Sequence, residues 1–275
     1  MKFQSKYFAA IMAAASLFVS CSNDDDSKPV DGTTGDAELF FDNGVAGDAL
    51  VLGTSYTNSN SESLTINRLN YIISNITFIK EDGTEFQYPK DENYFIISAQ
   101  NGEQTIHLHE IPAGDYKKVR FGIGVDQERF LQGETAQQSF WDLATQYDLT
   151  WTWSTGYKFI LFEGTFTAPG VDGEKVFQVH QGSNTSTDNY REVTLNLPTT
   201  ARVRQGDEPS IHLKTDVNVL LDGDTKIKLK DNLNPAGTSS AIMGGQNLID
   251  IANNSLKMFT VDHVHNGAGG EHDED

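Results

Sequence analysis

The sequence predicts a mainly β protein, an antiparallel β-sandwich with one or two packed helices. Three observations predict it. Short apolar segments recur along the chain, separated by turns rich in Gly, Asn and Asp. Several of these segments alternate. Ile211, Leu213, Thr215 and Val217 fall on one face, and His212, Lys214 and Asp216 fall on the other. Helical periodicity is confined to two stretches, so the strand–helix–strand rhythm of a parallel sheet is missing.

In chain order, strands are expected at residues 38–41, 64–80 (two strands or one long bent one), 94–98, 104–111, 118–125, 157–167, 175–180, 192–197 and 210–217. Glu81-Asp82-Gly83-Thr84 reads as a hairpin turn and Pro112-Ala113-Gly114 as a second turn. Helices are expected over 137–147 and 241–259. In the second, Leu248, Ile251, Ala252, Ser255 and Phe259 fall on one stripe. No internal repeat and no composition break interrupts the chain after residue 36. One β domain is therefore expected over 36–266, followed by a Gly-rich, acidic and disordered tail over 267–275.

The N-terminus reads as export machinery. Lys2 and Lys6 precede an apolar run over 7–19, then Ser20 and Cys21. A basic start, a short apolar stretch and a small residue describe a signal peptide over 1–20. Cys21 is the chain's single cysteine and stands where a lipoprotein signal is cut, so it is expected to carry lipid and anchor the protein to the membrane. Residues 21–35 read as a flexible acidic tether. Its Ser22-Asn23-Asp24-Asp25-Asp26 resembles the export signal of surface lipoproteins of the Bacteroidetes. The expected location is the outer membrane, with the domain in the periplasm or at the cell surface.

Composition excludes several functions. The 275 residues hold 20 Lys plus Arg against 39 Asp plus Glu, a net charge of −19. Such a chain does not bind the phosphate backbone of a nucleic acid, which needs clustered cations. With one cysteine, committed to lipid, there is no thiolate zinc or iron–sulfur site. No G-x-S-x-G, H-E-x-x-H or P-loop pattern occurs, so neither an enzyme nor an organic cofactor is expected. Gly122-Ile123-Gly124 lacks the third Gly and the following helix of a dinucleotide site, and reads as close backbone packing. Asp222-Gly223-Asp224 reads as an ordinary turn.

Histidines and aromatics are what remain. His107 and His109 sit two apart on an expected strand, so they project from one face about 6.5–7 Å apart, a workable spacing for two imidazole ligands. The alternative is a polar outer face. His263 and His265 repeat that spacing near the C-terminus, with Asp262 beside them. His212 reads as a surface residue, and His272, in the acidic tail, as at most a loose ligand. Trp141, Trp151, Trp153 and Tyr157 form an aromatic cluster. Three readings stand for it: core packing, a platform for sugar rings, or redox modification beside a metal.

Six segments occur in one order: Tyr71-Ile72-Ile73-Ser74-Asn75-Ile76, Pro112-Ala113-Gly114-Asp115-Tyr116, Arg120-Phe121-Gly122-Ile123-Gly124-Val125-Asp126, Trp151-Thr152-Trp153-Ser154-Thr155-Gly156-Tyr157-Lys158-Phe159, His180-Gln181-Gly182 and Val261-Asp262-His263-Val264-His265-Asn266. Together, over about residues 37–266, they resemble the MbnP-like family, named for a periplasmic protein linked to methanobactin and copper. The resemblance implies copper handling in the cell envelope. It also implies a dihaem peroxidase-like partner that oxidises a tryptophan near the metal, a role that falls on Trp151 or Trp153. His180 matches the family's H-x-G histidine and is the first candidate ligand. The His263/His265 pair is the second, and His107 and His109 follow. Where copper-binding relatives carry a further histidine, this chain has Gln127-Glu128-Arg129-Phe130-Leu131. Met243 and Met258 are the sulfur donors left in the mature chain. An imidazole site therefore suits Cu²⁺ and Zn²⁺ equally.

Two functions compete: a copper-binding envelope lipoprotein that stores, senses or delivers the metal, and a surface adhesion or glycan-binding lipoprotein that uses the aromatics and no metal. Fold does not separate them.

Overall fold

The structure is a computed structural model and describes residues 28–152 and 155–267. Cys21, most of the tether and the expected tail lie outside the described residues. The elements run β1 (Thr34–Val45), β2 (Asp48–Ala49), β3 (Ser55–Thr57), β4 (Ser63–Lys80), β5 (Glu85–Gln87), β6 (Tyr94–Ser98), β7 (Thr105–Pro112), β8 (Gly114–Ile123), α1 (Gln127–Leu131), α2 (Gln138–Gln146), β9 (Ile160–Thr167), β10 (Lys175–Gln181), β11 (Arg191–Val203), β12 (Ser210–Asp216), α3 (Val219–Asp222), β13 (Ser239–Ile242), α4 (Gly245–Ser255) and β14 (Phe259–His265).

Two sheets form the expected sandwich. The smaller has the order β14-β12-β1-β2, with β7 also paired to β1. The larger has the order β11-β8-β4-β9-β10-β13, with β3, β5 and β6 on β4. Pairing is antiparallel except at β1–β12 and β10–β13, which are parallel. Residues 64–80 are one bent strand. Asn75 takes φ 53° where the register against β8 shifts, and the strand changes partners along its length.

The main core lies between the sheets. Phe41 and Phe259 of the smaller sheet meet Tyr71 and Phe121 of the larger, with ring centroids 5.1–6.1 Å apart and edge-on or tilted. Each such ring removed from water contributes about 1.5–3 kcal/mol before ordering costs. A second, smaller core lies around α1 and α2 and contains Ile72, Val125, Phe130, Leu149, Tyr157 and Phe159. The readings at Gly122 and Gly124 hold. A Cβ at Gly122 would lie 2.1 Å from the Tyr190 hydroxyl. One at Gly124, where φ is +101°, would lie 2.2 Å from the Phe159 ring.

The expected helix over 241–259 is shorter at both ends. Ser239–Ile242 instead forms β13 along β10, and Gly244-Gly245 starts the helix. Phe259 begins β14, because its ring is needed in the core. The stripe itself is right: Leu248, Ile251, Ala252 and Ser255 are buried. The strand expected from residue 157 starts at Ile160, after a turn closed by the Thr150–Tyr157 bridge. The strand expected over 192–197 continues to Val203 through a register shift around Pro198, at the edge of its sheet, where proline is tolerated.

Candidate metal centre

The outer face of the smaller sheet collects histidines from three strands. On β12, Ile211 and Leu213 turn into the core, and His212 turns out between them. On β14, regular alternation would put His263 and His265 on the side of Phe259 and Val261, which is the core side. The strand avoids this with a bulge. Leu213 pairs with Val261, yet His212 pairs with His263, so Asp262 is the extra residue. The bulge resets the phase. Val264 packs towards the core opposite Ile211, while His263 and His265 join His212 outside.

Their rings are close. His212 and His263 stack with centroids 4.2 Å apart, His263 and His265 stand edge-on at 4.6 Å, and His212 and His265 lie 5.4 Å apart. One nitrogen from each lies within 4.8 Å of the others. Three nitrogens around a tetrahedral ion, each about 2.0 Å from it, sit about 3.3 Å apart. Rotation of the three side chains is what would bring the nitrogens to that spacing. The Phe40 ring, opposite His212 on β1, lies 5.2 Å away and walls one side.

An outer layer orients one of the three imidazoles. His263 Nδ1 lies 2.9 Å from an Asp262 oxygen, and Lys214 Nζ lies 3.2 Å from the other. These hydrogen bonds hold the Asp262 carboxyl below the usual carboxylate range. An ionised Asp262 can only accept, so Nδ1 of His263 donates, and in the neutral ring Nε2 carries the lone pair open to a metal. This is the carboxylate–histidine arrangement common in metal sites.

His107 and His109 also reach this outer face, on β7. They do not meet each other. His107 Nδ1 lies 2.9 Å from Glu38, and His109 Nδ1 lies 3.3 Å from Asp36.

His180 lies on the other sheet and is buried. Its Nε2 is 2.6 Å from Glu163 Oε1, and the Trp151 ring is 5.7 Å from its own. Its Nδ1 is buried and has no hydrogen-bond partner among the described residues. Arg68 and Gln178 also bond Glu163, and Lys158 Nζ stands 5.6 Å from the Trp151 ring. Burial pushes the Glu163 carboxyl up, but the bond and charge of His180, the charge of Arg68 and the Gln178 bond outweigh it and leave it below the usual range. No second imidazole joins His180 among the described residues. The arrangement is a buried ion-pair network beside a tryptophan. Trp153 lies outside the described residues. Trp141 packs edge-on against Tyr157, 5.1 Å away, so it is part of a core rather than a flat platform.

Sequence reasoning did not group His212 with His263 and His265. Alternation placed it correctly on the outer face, but nothing local shows that β14 will lie beside it.

The family model of MbnP matches residues 34–243. Among solved structures, MbnP from Methylosinus trichosporium aligns with 86% of this chain and 100% of its own, at 12% identity and a TM-score of 0.48. No curated protein matches the chain. The matched segment contains His107, His109, Trp151, His180 and His212, and ends before His263 and His265.

Proposed function

The chain belongs to the MbnP family, and from that premise we propose that it is a copper-binding lipoprotein of the cell envelope. In this reading it stores, senses or delivers the metal and performs no catalysis. One observation carries the reading: three imidazoles from two paired strands offer nitrogens within 4.8 Å of one another. The donor set fits copper. Imidazole serves both oxidation states, and a three-nitrogen site leaves a coordination position free for release to an acceptor. His212, His263 and His265 hold the ion, Asp262 orients His263, and Phe40 shields one side.

Lipid on Cys21 anchors the protein to the outer membrane, and the acidic tether carries the domain clear of it. A dihaem peroxidase-like partner acts on Trp151 or Trp153. Trp151 packs beside His180 of the larger sheet, whereas the three imidazoles lie on the smaller sheet, so this modification is a separate event from copper binding there.

Copper titration of the full chain tests the reading. The double variant His212→Ala/His263→Ala should lose more than about 100-fold in affinity, because changes outside the coordination sphere alone cost about 10–100-fold. His180→Ala should retain the wild-type value. Equal affinity in the wild type and the double variant would remove the site.

A further inference from the structure

We propose that the same sheet face carries a second metal site of different chemistry, formed by Glu38, His107 and Glu208 and selective for a divalent cation of the zinc type. His107 Nδ1 lies 2.9 Å from Glu38 Oε1 and 3.6 Å from Glu208 Oε1. One donor atom from each of the three lies within 4.8 Å of the others. Each arrives from a separate piece of chain. Glu38 comes from β1, His107 from the neighbouring β7, with which Glu38 is in register, and Glu208 from the segment leading into β12.

An ion pair alone does not account for Glu38. The residue is 9% exposed, and its Oε2 is shielded from water with no hydrogen-bond partner among the described residues. A buried carboxylate oxygen left unbonded loses its hydration without replacement. One imidazole also cannot neutralise two carboxylates. A doubly charged cation between the three donors meets both needs. It balances the two carboxylates, and the imidazole serves it through a neutral nitrogen. His107 is about half exposed, so water can fill the remaining coordination positions on the outer side.

The donor sets separate the two sites. Three imidazoles make a soft-to-borderline centre that accepts copper in either oxidation state. Two carboxylates and one imidazole make a harder, dianionic centre that disfavours Cu⁺ and suits Zn²⁺. They are close. Glu38, Ser210 and His265 occupy one cross-strand row, and two strand spacings are roughly 10 Å. Ser210 has no donor group charged for bridging, so the centres are neighbours and not one cluster.

Zinc titration of the full chain by competition with a chromophoric chelator decides. The background is His212→Ala/His263→Ala, so that zinc in the three-imidazole site does not mask the second. In this background one saturable equivalent of Zn²⁺ should remain. Adding His107→Ala, an exposed side chain whose loss does not threaten folding, should weaken it at least about ten-fold. Adding Glu38→Gln, which keeps the shape of the side chain and removes its charge, should do the same. Absence of saturable zinc in the background variant would overturn the site, as would zinc binding unchanged by both added substitutions. The copper reading fails independently, through unchanged copper affinity in the same background.

Discussion

Asp262 shows how much one residue decides. It is the bulge residue that keeps His263 and His265 off the core side, and its carboxylate also sets the tautomer of His263. The i, i+2 spacing of the two histidines is visible in the sequence, but spacing says only that they share a face. Which face depends on a bulge against a partner strand, and that depends on residues 50 positions away. The same limit hid His212 and Glu38. Each looks like an ordinary outward polar residue until the strand beside it is known. Asp262→Ala should lower copper affinity about 10–100-fold without unfolding the domain, as losses of such outer partners do. Asp262→Asn should fall between it and the wild type, since the amide oxygen still accepts from Nδ1 but carries no charge. Titration of the three proteins with copper, with circular dichroism as the folding control, checks the order.

At the level of elements, alternation and the helical stripe were legible, and ends and partners were not. The core positions of β12 and α4 follow from the period of their apolar residues. The parallel pairings of β1 with β12 and β10 with β13 join segments far apart in sequence, so no local signal announces them. Asp126 is a junction of this non-local kind. It caps α1 by accepting from the Arg129 N–H, and it also accepts from Lys90, Tyr94 and the Asn75 side chain at the bend of β4. Burial pushes its carboxyl up, but the bonds from Lys90, Asn75, Tyr94 and Arg129 outweigh burial and hold it at about 2. Its side chain is 15% exposed. Against an unfolded value of about 3.9, the difference is worth about 2–3 kcal/mol. The folded value is the lower one, so the stabilisation is full above the unfolded pKa and is lost as pH falls through about 2. Asp126→Asn should therefore cost about 2–3 kcal/mol at neutral pH in urea unfolding. Its deficit against wild type should shrink steadily below about pH 4.

Among the described residues, the molecule closes on β14. β14 is the edge of the smaller sheet, and it lies beyond the segment that matches the family. It supplies Phe259 to the central core and two of the three imidazoles to the outer face. Its end is tied to β11 by Asn266, which accepts from the Arg202 N–H and donates to the Thr200 carbonyl. A metal held by His212, His263 and His265 adds a further link between β14 and β12, present only in the folded chain, because only the folded chain brings the three together. Binding to the folded state alone raises stability by RT ln(1 + [L]/Kd), about 2.7 kcal/mol at a free copper concentration 100 times Kd. At about 2–4 °C per kcal/mol for a domain of roughly this size, the midpoint should rise by about 5–11 °C. His212→Ala leaves β14 and its core contacts in place but removes the link across the strands. The copper-dependent shift should then vanish while the metal-free midpoint changes little. A shift of equal size in His212→Ala would place the stabilising copper somewhere other than the β12–β14 face.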